Sequence, residues 1–88
     1  MTLRIERTSE GQSTTISLIG RIRVEHLDEL KAQIKDDASG IELDLEEVIF
    51  VDVDVVRFLV MCQAEGIRLI NCSPYIENWI DKERNREE

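Results

Sequence analysis

The stretch IELDLEEVIFVDVDVVRFLVMCQAEGIRLI, residues 41–70, decides how this chain folds. It opens in strict alternation, with Ile41, Leu43 and Leu45 apolar and Glu42 and Asp44 charged between them. A period of two predicts a strand over residues 41–45 with one face buried. From about Val53 to Glu65 the run reads as a helix, closed by Gly66. Residues 67–71, IRLIN, read as another strand. Strands joined through a helix are parallel, with a right-handed crossover.

Working outward, LRIER and TTISLIG alternate in the same way. Leu3 and Ile5 face one side in the first run, Ile16 and Leu18 in the second. The SEGQS between them is turn chemistry, so the pair predicts a hairpin. At Val24 the period changes. Val24, Leu27, Leu30 and Ile34 recur at helical spacing, which predicts a helix ending near DDASG, residues 36–40. Ser73 and Pro74 open a third helix as N-cap and first turn, with Ile76, Trp79 and Ile80 inward. Residues 81–88, DKERNREE, read as a charged, solvated and frayed tail.

The order is therefore β-β-α-β-α-β-α, one domain over residues 1–88. The strands alternate, so the helices are expected mainly on one face of an about four-stranded mixed sheet. Arg4, Glu6, Ser17, Glu42, Asp44 and Arg68 fall on the other, wet face. The expected fold is a small two-layer α/β domain.

Composition narrows the function. At 88 residues there is room for one core and little else. A formal net charge of −8 argues against nucleic acid and against anionic membrane. No stretch reaches the ~20 apolar residues of a membrane span, and the N-terminus shows no apolar signal core. Cys62 and Cys72 lack metal-like spacing and read as reduced thiols of a cytoplasmic protein. No cofactor is implied. His26 lies among acids and reads as solvated.

Two carboxylates, Asp52 and Asp54, stand between valines in the most apolar run, and carboxylates are costly to desolvate. Three readings compete: a catalytic or metal-binding pair, a helix start, or a docking surface. As a helix start, Asp52 caps and Asp54 sits favourably in the first turn. That leaves Phe58 and Met61 unplaced. They cannot share one helical face with Val56, Leu59, Val60 and Gln63, so some apolar side chains are expected at the surface, where they mark partner sites; the alternative is a helix buried on most of its sides.

Three segments in order, GRIRVEHLDELK, IELDLEEVIFVDVDVVRFL and GIRLINCSPYIENWI, resemble the STAS domain, the family of bacterial anti-sigma factor antagonists. Gly20 and Ile22 match G-x-[LI]-D before the first helix. Asp44, Leu45, Val48, Phe50, Val51 and Asp52 match DLS-x-V-x-F-[IV]-D-S-[ST]-G. Asn71, Ser73 and Pro74 match N-x-S-P. The likeness runs from about Ile5 to Ile80. It implies a non-enzymatic regulatory protein-interaction module. Its partner would be an anti-sigma factor or kinase-like regulator, another STAS-containing assembly, or a transporter component; a homodimer is a further option. In many members the second hydroxyl of D-S-[ST]-G is phosphorylated. That position here is Asp54, flanked by Val53 and Val55, and the acid of the first motif is Arg23.

By this resemblance the partner-binding residues are Arg23, Asp52, Asp54, Arg57, Phe58 and Met61. The paired departures at Arg23 and Asp54 also predict an ion pair between them. At an exposed site it would contribute only ~0–1 kcal/mol. A rival string, VIFVDVDVV, resembles the first motif of haloacid dehalogenase-type phosphatases, with Asp52 as nucleophile and Asp54 as acid/base. That chemistry needs a lysine and further acids to hold Mg²⁺, and after Asp54 the only lysine is Lys82.

Overall fold

The computed structural model describes residues 3–34 and 40–86. Strand β1 (Leu3–Glu10) and strand β2 (Ser13–Ile22) are followed by a 3-10 turn (Val24–His26) that runs into helix α1 (Leu27–Ile34). Then come β3 (Ile41–Val51), α2 (Val53–Ala64), β4 (Arg68–Ile70) and α3 (Pro74–Arg86). The element order is the one expected. The end of α1 predicted near residues 36–40 falls almost wholly outside the described residues.

The sheet runs β1-β2-β3-β4, with β1 antiparallel to β2 and the other pairs parallel. Each parallel strand lies beside its predecessor, and both crossovers step in the same direction. Two right-handed crossovers that step the same way pass over the same face, so α1 and α2 form one layer. Ile16, Leu18 and Ile22 of β2 and Ile41, Leu43 and Leu45 of β3 meet Leu30, Val55, Val56, Leu59, Ile76 and Ile80 in the core between sheet and helices. The opposite face is polar. Arg4 pairs with Glu6 at 2.8 Å and Arg68 with Glu42 at 3.0 Å.

The hairpin needs only Gly11 and Gln12 between Glu10 and Ser13, and Gly11 takes φ 60°. A two-residue loop that begins at positive φ suits glycine there. Gly40 is required for a different reason. A Cβ on it would lie 2.6 Å from the Gln12 carbonyl oxygen, while the Thr14 N–H donates to the Gly40 carbonyl at 2.8 Å. The start of β3 is thereby fastened to the hairpin.

Strand β3 is much longer than the predicted residues 41–45. Between Asp44 and Glu47 it advances three residues while β2 advances two, from Ser17 to Ile19. Between Val48 and Phe50 it advances two while β2 advances one. Each mismatch is a bulge, which leaves one residue unpaired and bends the strand. The buried positions are accordingly Ile41, Leu43, Leu45, Val48 and Val51. Their spacing changes from two to three, and that is why alternation stops at Leu45 although the strand does not.

Ser73 caps α3 as expected, its hydroxyl accepting from the Ile76 N–H at 3.3 Å. The frayed tail from residue 81 is corrected: α3 continues through Arg86, and although Asp81, Lys82, Arg84 and Asn85 are exposed as expected, Glu83 is buried. Its carboxylate receives the Arg57 Nε–H at 3.1 Å, which joins α3 to α2. A buried acceptor that loses a charged donor costs more than a broken surface pair. Arg57→Ala is therefore expected to lower unfolding stability by about 1–2 kcal/mol and Arg4→Ala by less than ~0.5 kcal/mol, measured by urea titration.

Cys62 and Cys72 are free thiols. Burial first, then the Glu65 charge, pushes the Cys62 thiol from its ordinary 9.0 to about 12. Burial and then Glu77 push Cys72 to about 11. Unfolding releases these protons earlier, so this share of the stability is complete below pH 9.0 and lost as the pH climbs towards about 12. The urea midpoint is expected to fall more steeply between about pH 8 and pH 11 for the native protein than for Cys62→Ala.

Candidate functional site

The two βα junctions, after β2 and after β3, come together at the carboxyl end of the sheet, where functional residues gather in α/β folds. Asp52 joins them. It ends β3 with extended backbone, φ −101° and ψ 176°, and its carbonyl accepts the first helical bond from the Val56 N–H at 3.0 Å. One carboxylate oxygen, Oδ1, accepts from the Val55 N–H at 3.1 Å. The other, Oδ2, accepts from the Val24 N–H at 2.9 Å. The helix start anticipated for Asp52 is present, and the second bond adds a tie that spacing along the sequence cannot reveal, since the partners are 28 residues apart.

The junction before α1 is closed by its own backbone. The Arg23 N–H donates to His26 Nδ1 at 3.0 Å, and the His26 N–H donates to the Arg23 carbonyl at 2.9 Å. The expectation of a solvated His26 is corrected: the imidazole is half-buried and holds the turn. As Nδ1 accepts there, a neutral ring carries its proton on Nε2.

The predicted Arg23–Asp54 ion pair does not form. The Arg23 guanidinium carbon lies 5.5 Å from the centroid of the Phe50 ring, a cation–π arrangement. Asp54 is exposed and makes no ion pair among the described residues. The aromatic face supplied by the bulged end of β3 captures the guanidinium.

Phe58 is corrected too. It is buried, in contact with a crevice shared by Ile16, Leu30, Ile34 and Leu43, so it belongs to the core beneath α1. The buried arc of α2 comprises Val55, Val56, Phe58, Leu59 and Cys62, wider than one sheet-facing stripe because α1 and α3 flank it. Met61, on the other side, is 57% exposed, as anticipated for part of this helix. Arg57 is half exposed but committed to Glu83.

The surface residues that sequence reasoning missed are those next to the junctions. Ile49 is 73% exposed, Val24 51% and Phe50 41%. Val53 is also exposed. Ile49 is the unpaired residue of the second bulge. The signal for it was the failure of alternation in EEVIFV, where two polar residues are followed by four apolar ones. Asn71 was matched as part of a motif, and the structure supplies its reason. Its φ is 56°, a conformation that asparagine tolerates better than most residues, and its Nδ2 donates to Asp44 Oδ1 at 3.2 Å.

Both oxygens of Asp52 are held by backbone donors. Among the described residues no group of three or more His, Cys, Asp or Glu side chains could hold a metal ion. The parallel strands follow one another without a reversal of order, so the sheet lacks the switch-point crevice where open α/β sheets bind ligands. Among the described residues no helix is long and apolar enough to cross a membrane. No model of a known protein family matches the chain, and no curated protein matches it.

The two acids are therefore separable by stability. Asp52→Ala removes an N-cap and the tie to Val24, and is expected to cost about 2 kcal/mol, with faster hydrogen exchange at the Val24 and Val55 amides. Asp54→Ala is expected to change stability by no more than ~0.5 kcal/mol. Equal effects from the two substitutions would remove the distinction.

Proposed function

We propose that this chain is a non-enzymatic regulatory protein-interaction module of the STAS type. It acts in the cytoplasm and binds its partner with the carboxyl end of its sheet. The observation that carries this reading is the company Asp54 keeps. It occupies the position that the resemblance assigns to the phosphoacceptor, it is exposed, and it follows a junction at which Val53 and Val24 are exposed and a bulge leaves Ile49 and Phe50 exposed at the end of β3. Exposed apolar side chains next to charge, on backbone fixed by Asp52 and His26, make a surface suited to a protein partner. Arg23, packed on Phe50, supplies its cation, and Met61 extends it along α2. Phe58 has no part in it.

A carboxylate carries about one negative charge, against −1.5 to −2 for a phosphoserine. Asp54 thus fixes one charge state where switchable members alternate between two. The partner is an anti-sigma factor or a kinase-like regulator. A STAS-containing assembly or a transporter component would use the same surface.

Two measurements test the reading. No hydroxyl side chain occurs between Ile49 and Ile70. Incubation with a kinase-like anti-sigma factor and ATP, followed by mass mapping, is expected to place no phosphate in that segment. Binding of the same regulator, read by calorimetry, is expected to change by about fivefold or more in Asp54→Ser, which corresponds to ~1 kcal/mol. An unchanged dissociation constant would remove Asp54 from the interface. Mg²⁺-dependent turnover of a phosphate monoester that disappears in Asp54→Ser would overturn the non-enzymatic reading altogether.

A further inference from the structure

The sheet ends at β4, which has β3 on one side and no strand on the other among the described residues. Beyond that free edge lies an open groove of about 740 Å³. Ile67 and Leu69 line it from the β4 segment, Val60 and Ala64 from α2, and Gln63 and Arg84 stand over it. The helical layer thus overhangs the sheet. Side chains of α2 and α3 cover a space into which the sheet does not extend.

A further strand belongs about 4.8 Å from β4, and its inward side chains would pack beneath those helices. We propose that this groove binds an extended segment of another polypeptide, paired along β4, with alternating aliphatic and acidic residues. The aliphatic side chains face Val60, Ala64 and Leu69. The acidic ones fall on the outer face, where charge complementarity selects them. There Arg68 is opposite Glu42 in the register, paired with it at 3.0 Å, and its own side chain is 73% exposed. An acid on the next strand continues the row of opposite charges, an arrangement favoured between neighbouring strands. Arg84 adds a second guanidinium above the groove, half exposed although it contacts Gln63 and Asp81. Edge strands are commonly blunted by a charge that obstructs pairing. Here the Arg68 guanidinium pairs back across the sheet with Glu42, while Arg68 itself borders the groove.

The groove is at the end of α2 remote from Asp52. Ala64, in its lining, lies ten residues beyond Asp54, about 15 Å along the helix at 1.5 Å per residue, and the pairing edge is β4, so this inference does not depend on the function proposed for Asp54.

The test is a titration of the full ¹⁵N-labelled chain with a short, end-blocked peptide of alternating glutamate and valine. Amide signals of Arg68, Leu69 and Ile70 are expected to move. Ala64→Arg, an exposed change that fills the groove, is expected to weaken binding about tenfold or more, or ~1.4 kcal/mol. A peptide with proline in place of valine keeps only the glutamate N–H groups and has φ fixed near about −65° at every second residue, so it fits the ladder poorly and is expected to bind much more weakly. Several results would overturn the proposal: no movement at β4, movement confined to β1 or to the Phe50 end, or full binding by the Ala64→Arg protein. Equal binding of a lysine-valine peptide would remove the acidic occupant. Concentration-dependent dimerisation with the same β4 shifts in the absence of peptide would give the groove to a second copy of the chain instead.

Discussion

One carboxylate holds the two βα junctions of this protein together. Asp52 is the last residue before α2, and a cap at that point is ordinary, since the first turn of any helix has N–H groups without helical partners. The unusual part is the division of labour between its oxygens. One oxygen serves the helix that Asp52 itself begins, and the other serves the Val24 N–H at the start of the preceding helical segment. Neither β2 nor β3 can shift along the other without breaking that tie. The parallel register, the entry of α1 and the entry of α2 are thus fixed at one point. The residues around it, Arg23, Val24, Phe50, Val53 and Asp54, are presented on backbone that cannot easily move.

The second constraint is the geometry of β3. A regular strand through residues 41–51 would place every second side chain in the core, and the apolar sequence LEEVIFV does not permit that. The two bulges resolve the conflict by resetting the inward face, first to Val48 and then to Val51. Their by-product is the exposure of Ile49 and Phe50. Phe50 then provides the ring on which Arg23 rests. An apolar pair turned outward, a cation held by an aromatic face and an acid without an ion-pair partner among the described residues follow from the same local irregularity. Bulges are enriched beside functional sites because they re-aim side chains.

Much of this was legible in the sequence because periodicity is set by which face is buried. Alternation in residues 3–6 and 14–19, the helical spacing from Val24 and the break at Gly66 placed the elements in order. Ser73 and Pro74 marked the start of α3. The misreadings share one cause, which is dependence on neighbours far along the chain. Phe58 reads as a surface residue when one buried stripe is preferred over burial on most sides of the helix, and the choice is settled by α1, whose Leu30 and Ile34 meet it. Residues 81–86 looked like a solvated tail because charge is visible in a sequence, but the partnership of Glu83 with Arg57, 26 positions away, is not. The Arg23–Asp54 pair failed because charge complementarity between two positions says nothing of a nearer ring.

The core constrains position 55 as closely as the helix start constrains Asp52. In the pattern this chain resembles, the modified hydroxyl is followed by glycine. Here the following residue is Val55, which is fully buried and packed in the core. Glycine at this position would remove a buried side chain at the first turn of α2 and add the backbone entropy that glycine carries in a helix, about 0.5–1 kcal/mol on its own. Val55 also supplies the N–H that Asp52 caps, so the cavity would open at the junction that holds the site in place. The charge at Asp54 and the valine behind it form one unit. The acid sits on a helix start that the buried valine and the Asp52 cap hold together, where a glycine would leave the turn freer to move.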